Sequence, residues 1–505
     1  MNVLGDLNSH VSLGNVPVSV AEHAVGVRKL KELLGDRLLT ADGARTEYSK
    51  TTLPSKTKPL AIARPRDHEE VVAVLKLANA FAIETHAISR GKNMGYGDAC
   101  AANDNALIID LREMDRIVEI NEDLGYAVIQ PGVSQGQLAE ELRRRDSGLM
   151  LDVTGAGPDA SIVGNVLQRG FGHTPYGDRT ANSCNYVVVD ANGDTFRTGF
   201  GSVSQSQVGH VYPYGLGPNP QGMVAQSGDY VVTQMTIWLM RRPECIQGFG
   251  FKAQTVTQFA AIVDKIGELR RAGVIDSVAH LANDLRVVSS QDWMREYAGH
   301  EGPFDEELRA AFRERAGIGR WNGLGGIYGS KAIVKAKRAE ISKALRGLTK
   351  VQFFGANKIK LLTGIARLLP GSERLRNMST AVSEVYELLC GRPSASHLQG
   401  AFYRNKPASG QVIDTGLIWI APVIPFRGED ALRLVSSLEP IANRCGFDLP
   451  ITISPVVPRA AVCITNISFD KTNSKQRTAA SACYQEMRKC MDDLGYPPYR
   501  TASIN

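Results

Sequence analysis

Apolar and polar positions divide the chain into two textures. From Ala61 to about residue 242, short apolar runs alternate with amphipathic segments. PRDHEEVVAVLKLANAFAI carries apolar residues at helical spacing behind an Asp start, which predicts a capped helix. QGQLAEELRRRD predicts a second helix. THAISRG predicts a short strand running into a loop, and ALIIDL a buried strand. AVIQPGV predicts a strand ended by Pro131-Gly132, and YVVTQMTIWLM one more strand. NYVVVDANGDTFRTG predicts two strands joined at Asn192-Gly193, a dipeptide that accepts the positive φ of a tight hairpin.

After Arg241-Arg242-Pro243 the helices lengthen and glycines thin out. QFAAIVDKIGELRRAG and SKQRTAASACYQEMRKCMDDLG predict helices, the latter broken at Gly495. QVIDTGLIWIAPVIPF is strongly apolar and predicts a central strand of a second domain. Upstream, residues 1–54 are polar and irregular, with one helix expected near Val20–Leu34. The expected organisation is therefore an N-terminal segment 1–54, an α+β domain 55–242, a second α+β domain 243–495, and residues 496–505 as the start of a return segment cut short at Asn505.

Composition narrows the class. The chain has 505 residues, 43% hydrophobic and 22% charged, which excludes disordered, collagenous and disulfide-dense secreted classes. A net charge of +6 is too mild at this length to imply nucleic acid. Lys and Arg concentrate over 331–376, read as the solvated faces of helices. No apolar run approaches the ~20 residues of a membrane-spanning helix, and the N-terminus lacks a secretory pattern. The eight cysteines form no CxxC pair and no CxxCH haem site. They read as reduced thiols of a cytoplasmic protein, or of a periplasmic one if a leader was removed. A haem partner, if one acts, sits on another chain.

Three glycine-rich segments carry the candidate chemistry. The first is Ser89-Arg90-Gly91-Lys92-Asn93-Met94-Gly95-Tyr96-Gly97, directly after a predicted strand. Its glycines let backbone N–H groups approach an anion, and Arg90 and Lys92 add positive charge, which suits a diphosphate. It is neither a Rossmann fingerprint nor a P-loop. The second runs through Thr154, Gly155, Gly157 and Ser161 to Gly164-Asn165. The third runs from Gly170 through His173, Tyr176 and Gly177 to Asp178. Each alone suits a tight turn. Three near strand ends within ninety residues point to a large phosphate-bearing cofactor.

The runs SRGKNMGYGDA, VIQPGV, LDVTGAGPDASIVGNVLQRGFGHTPYGDR, VYPYGLGP and TIWLM, with Tyr499-Arg500 in GYPPYR, follow one another in a recognisable order. Over about residues 55–500 the chain resembles the flavoproteins related to vanillyl alcohol oxidase, and especially their 4-cresol dehydrogenase branch. The resemblance implies a two-part FAD-binding domain and a substrate domain capping the flavin. It places the diphosphate on residues 89–95 and wraps the cofactor with Pro131, 154–165 and 170–178. It implies that a phenolic substrate is held as the phenolate by Tyr96, Tyr499 and Arg500. Hydride then passes from the benzylic carbon to the flavin, leaving a quinone methide that adds water or loses a proton. It further implies a homo-oligomer and a c-type cytochrome as electron acceptor.

Four departures qualify that implication. Gly155 stands where the oxidases of the family carry an aspartate, with Asp159 displaced along the loop, which favours a dehydrogenase over an oxygen-using oxidase. Leu417 stands where those oxidases tether FAD through histidine, so the cofactor is either dissociable or linked through a tyrosine, for which Tyr403 is the candidate. Tyr230, beside Val231 in SGDYVVT, replaces a glycine and crowds or stacks on the cofactor. Relatives continue past Asn505, and a missing cover would leave the site open. His173, where relatives have an aromatic, reads as a structural hydrogen-bonder. Asp178 reads equally as a turn cap and as a cofactor contact. The readings kept beside the leading one are a peroxide-forming oxidase, a same-fold oxidase of a non-phenolic alcohol, and a non-catalytic flavin-fold binding protein.

Overall fold

Local signals start and stop the elements at the predicted places. Asp67 is extended, and its carboxylate accepts from Glu70 N at 2.8 Å, capping the helix His68–Ala80. Ser134 and Gln137 form a reciprocal capping box at the start of the helix Gln135–Arg144. Gly495, left-handed at φ 74°, ends the helix Ser474–Leu494. The computed structural model describes residues 20–368, 373–395, 398, 400–401 and 412–503. Tyr403 lies outside them.

The first half of the chain forms two sheets. Strands β1 (Leu38–Leu39), β2 (Ala61–Ala63), β3 (Thr85–Ile88) and β4 (Leu107–Asp110) pair in the order β1-β2-β4-β3, with β2 and β3 parallel to β4. The helix Val20–Leu34 joins this layer, since Leu30, Leu34 and Leu38 share one core with Val71, Val74 and Leu107. Strands β5 (Ile117–Asn121), β6 (Tyr126–Ile129), β8 (Ser183–Asp190), β9 (Thr195–Arg197) and β10 (Tyr230–Trp238) form an antiparallel sheet, order β5-β6-β10-β8-β9. The β8–β9 hairpin turns at Asn192-Gly193 as expected, with Gly193 at φ +81° and the Asp190 carboxylate accepting from Asn192 N and Asp194 N. A two-stranded ribbon, β7 (Leu149–Met150) with β11 (Met240–Arg241), lies where the chain leaves this half.

The second half builds an eight-stranded sheet. Its strands are β12 (Cys245–Ala253), β13 (His280–Asn283), β14 (Trp321–Gly329), β15 (Gln352–Phe354), β16 (Gly416–Ile420), β17 (Val423–Pro425), β18 (Ile451–Val457) and β19 (Ala460–Phe469). The order is β15-β12-β14-β13-β18-β19-β16, with β17 also on β19. The helices Val256–Arg271, Gly428–Arg444 and Ser474–Leu494 cover one face, and Phe259, Leu281, Trp321, Ile418, Leu434, Ile453 and Met487 join in one buried core. Phe259 stacks on Trp321 with ring centroids 3.8 Å apart.

The expected central strand is corrected here: β16 is the terminal strand of its sheet. It is apolar because the other half of the molecule covers its free edge. Leu417 N donates to Thr52 O at 2.8 Å and Trp419 N donates to Gly95 O at 3.0 Å. An edge sealed in this way needs no charged guards and reads in sequence like an interior strand.

Candidate active site between the sheet and the glycine-rich loops

Strand alternation divides the large sheet chemically. Leu281, Ile451, Ile453, Ile418 and Ile420 point into the helix-covered core. Their neighbours His280, Ala282, Thr452, Leu417 and Trp419 therefore point the other way, toward the first half of the chain. Trp419 lies against the loop that follows β3, so closely that a methyl at Gly95 would overlap its indole. The His280 ring lies 4.6 Å from that of His173. The site is this second face and the loops pressed on it.

The 171–178 loop is fixed from beneath by Asp152. This buried carboxylate accepts from Thr174 N and Oγ1 at 3.0 and 2.7 Å and pairs with Arg179 Nε at 3.0 Å. A side chain at Gly172 would overlap the same carboxylate. Burial lowers the Arg179 pKa, and Asp152 opposes that shift. The 93–97 turn is fixed by Asp98, which accepts from Thr52 N and Oγ1, both at 2.7 Å, and from Thr51 Oγ1 at 3.0 Å. Thr52 Oγ1 in turn accepts from Gly95 N at 2.8 Å. Burial, the largest influence, raises the Asp98 pKa.

The C-terminal segment closes the site. Beyond Gly495 the chain pairs with the corner after β16: Val423 N donates to Pro497 O at 2.9 Å and Tyr499 N to Ala421 O at 3.1 Å. Ser503 N then donates to Tyr96 O at 3.1 Å. This path brings Tyr96, Tyr499 and Arg500 together. The Arg500 guanidinium carbon lies 3.5 Å from the Tyr96 ring centroid and 5.6 Å from that of Tyr499. Arg500 Nη1 donates to Asn93 Oδ1 at 3.2 Å, and its buried Nε has no partner among the described residues. No carboxylate pairs with Arg500 among the described residues. Burial lowers its pKa, but the two tyrosines outweigh that and the net shift is upward. Tyr96 is raised far above an ordinary phenol by burial, then by Tyr499, against the pull of Arg500. The cluster therefore offers donors and a positive charge to an anion.

The cofactor loops meet beside this cluster. Arg90 Nη1 donates to Gly132 O at 2.9 Å, while its buried Nε has no partner among the described residues. Gly91, Gly95 and Gly157 all have positive φ. Ser161 Oγ donates to Pro131 O at 2.7 Å and accepts from Gly164 N at 2.9 Å. A Cβ at Gly164 would come 3.1 Å from Ser89 Oγ, so the 89–95 and 161–165 loops approach at backbone distance. An orphaned guanidinium nitrogen among glycine-rich loops fits the diphosphate of FAD, and residues 89–95, 131–134 and 154–165 would hold it.

Most of the other predicted residues contact neighbours within the protein. Lys92 is exposed and Met94 packs with Leu417 and Trp419. Thr154 is bonded at both its N–H and its carbonyl to the Gln135 side chain, and Gly155 lies in the turn that follows. Asn165 Oδ1 accepts from Arg179. Tyr176 packs against the cluster of Met150, Met240 and Tyr328, and Gly177 against Val278. The Asp178 carboxylate caps a turn through Ala181 N. Tyr230 stands edge-on to Phe196 at 5.8 Å, and Val231 is in the core of the first sheet. Leu417 is wholly buried beside Ala401. Sequence reasoning passed over Asp98, Thr52, Trp419 and His280. Asp98 alone carried a signal, as the acid closing SRGKNMGYGDA.

Residues 59–199 match the FAD binding domain family model. Two curated proteins align over nearly the whole chain. The 1'-carboxy-chondrochloren decarboxylase of Chondromyces crocatus is 33% identical, covering 93% of this chain and 88% of that protein. The flavoprotein subunit of 4-cresol dehydrogenase [hydroxylating] of Pseudomonas putida is 28% identical, covering 96% and 89%. The chain belongs to the vanillyl alcohol oxidase/p-cresol methylhydroxylase family of FAD-binding flavoproteins. Among solved structures of this family, 4-ethylphenol oxidase from Gulosibacter chungangensis, in its isoeugenol complex, superposes with a TM-score of 0.88 at 25% identity, covering 97% of this chain and 90% of that one. The chain is thus an FAD-binding oxidoreductase of that family, with an FAD-binding domain and a β-rich cap. Among the described residues no helix is long and apolar enough to cross a membrane.

Proposed function

We propose that this flavoprotein oxidises 4-alkylphenols, binding them as phenolates on Tyr96, Tyr499 and Arg500. The observation that carries this reading is a guanidinium, with no carboxylate partner among the described residues, set against the rings of buried Tyr96 and half-buried Tyr499. A free phenol ionises near pH ~10, so a site of donors lowers the cost of the phenolate. FAD, when bound, accepts the benzylic hydride. The protein orients the ring, excludes water from the phenolate and holds its charge while a quinone methide forms. Water then adds, or a neighbouring proton is lost.

Gly155 and the apolar Leu417 support a dehydrogenase that hands its electrons to a c-type cytochrome. Slow reoxidation of the reduced enzyme in air, with fast cytochrome reduction, is the expected result; rapid peroxide formation favours the oxidase instead. Tyr403 is the proposed anchor if FAD stays with acid-precipitated protein. The phenol reading is tested by anaerobic flavin bleaching with 4-ethylphenol and with its methyl ether. Equal bleaching by the ether would sink it. The relative named a decarboxylase favours a second fate for the intermediate. In a substrate with a carboxylate one carbon beyond the benzylic position, that carboxylate leaves as carbon dioxide. Its bonding pair forms the side-chain alkene and restores the aromatic phenolate.

A further inference from the structure

Arg286 is a cation that the phenolate site does not use. It sits on the short helix Asp284–Val288, which follows β13 directly. Its guanidinium carbon lies 5.4 Å from the ring centroid of Trp419. The same indole is pressed on Gly95, next to Tyr96. One indole therefore lies against both Arg286 and the turn that carries Tyr96.

This half-buried residue lacks what other interior arginines possess. Arg309 and Arg313 pair with Asp284, and Arg179 pairs with Asp152. Among the described residues Arg286 has no ion pair, and its solvent-sealed Nη1 has no hydrogen-bond partner. Burial alone pulls its pKa down, to about 10, so it remains charged at neutral pH. A guanidinium carries five N–H donors in a fork matched to a carboxylate, and stacking on an indole leaves the fork edge free. Among the described residues no acidic side chain pairs with Arg500 or with Arg286, and a phenolate satisfies only the first.

We propose that Arg286 is a substrate-binding residue that receives a carboxylate on the alkyl chain of the phenol, so that the preferred substrates are 4-hydroxyphenyl-alkanoic acids. This rests on the phenol-oxidising reading and adds to it the charge of the side chain and the residue that reads it.

The test compares 3-(4-hydroxyphenyl)propanoate with the neutral 4-propylphenol on FAD-loaded enzyme, by anaerobic flavin reduction and by steady-state kinetics. The wild type is expected to favour the acid at least about tenfold in kcat/KM. In R286M the ratio of acid to neutral substrate is expected to fall by a similar factor, chiefly through KM for the acid, with R286K recovering part of it. No preference in the wild type overturns the proposal without any variant, so a failure of R286M to fold does not protect it. A loss shared equally by both substrates in R286M also overturns it, because that outcome marks a structural role. If 4-propylphenol reduces the flavin and the acid does not, the proposal falls while the phenol reading stands. If neither compound reduces the flavin, both fall together.

Discussion

Tyr96 illustrates how burial and charge divide the work at a single residue. Its pKa is raised, first by burial and then by Tyr499, so the hydroxyl stays neutral. The sign follows: the donor is present at every pH below that raised value and is lost only above it. Between about pH 7 and 9, kcat/KM for a 4-alkylphenol should not decline through Tyr96 ionisation. A descending limb in that range that vanishes in Tyr96→Phe would refute this. Tyr96→Phe itself should cost about 10²-fold in kcat/KM, the scale of one lost donor to a developing oxyanion. Arg500→Gln should also return the absorbance titration of a bound phenolic aldehyde toward its value in water. At this scale the sequence was partly legible. Tyr96, Tyr499 and Arg500 stood in motifs, whereas Trp419 and Arg286 acquire meaning only once β16 and the helix after β13 meet.

Elements show the same division. Helices with a capping residue in the first position, such as those starting after Asp67 and Ser134, could be read directly. Strand β5 could not: its burial is shallow, so it lacks the apolar run that marked β4. β16 was recognised as a strand but read as central rather than terminal, since pairing to a distant loop leaves no local trace. The turn at Gly495 joins an element to the site. Its left-handed φ directs the chain into the Pro497–Ser503 path. Gly495→Ala should cost about 1–2 kcal/mol in urea unfolding, because an L-residue with a Cβ is strained there. A smaller loss of stability than of activity would mean that the turn aims Tyr499 and Arg500 as well as ending a helix.

For the molecule as a whole, the cofactor loops, the cap face and the C-terminal segment share one boundary. On the proposal that FAD is held across loops from separate stretches of sequence, added FAD should raise the melting temperature of apoprotein in a concentration-dependent way. Absence of that rise would contradict the loops as a preformed cradle. The eight cysteines are free thiols. Dithiothreitol should therefore leave the melting temperature unchanged, and a drop would reveal a bridge. The change of texture after Pro243 coincides with β12, where the eight-stranded sheet begins. How the halves dock was not legible, because the contacts join residues such as Gly95 and Trp419 that lie hundreds of positions apart.

The backbone bonds from Thr52 and Gly95 to the last strand of the cap have a consequence for anyone recombining these proteins. A cap transplanted onto another member's flavin half arrives with a raw hydrogen-bonding edge, and its new host must supply a loop of matching register. Modular exchange of specificity is therefore not a matter of cutting at the Arg241–Pro243 turn. A workable chimera has to carry the 51–53 and 93–97 segments along with the cap, as though they were a ninth strand left behind in the other half of the chain.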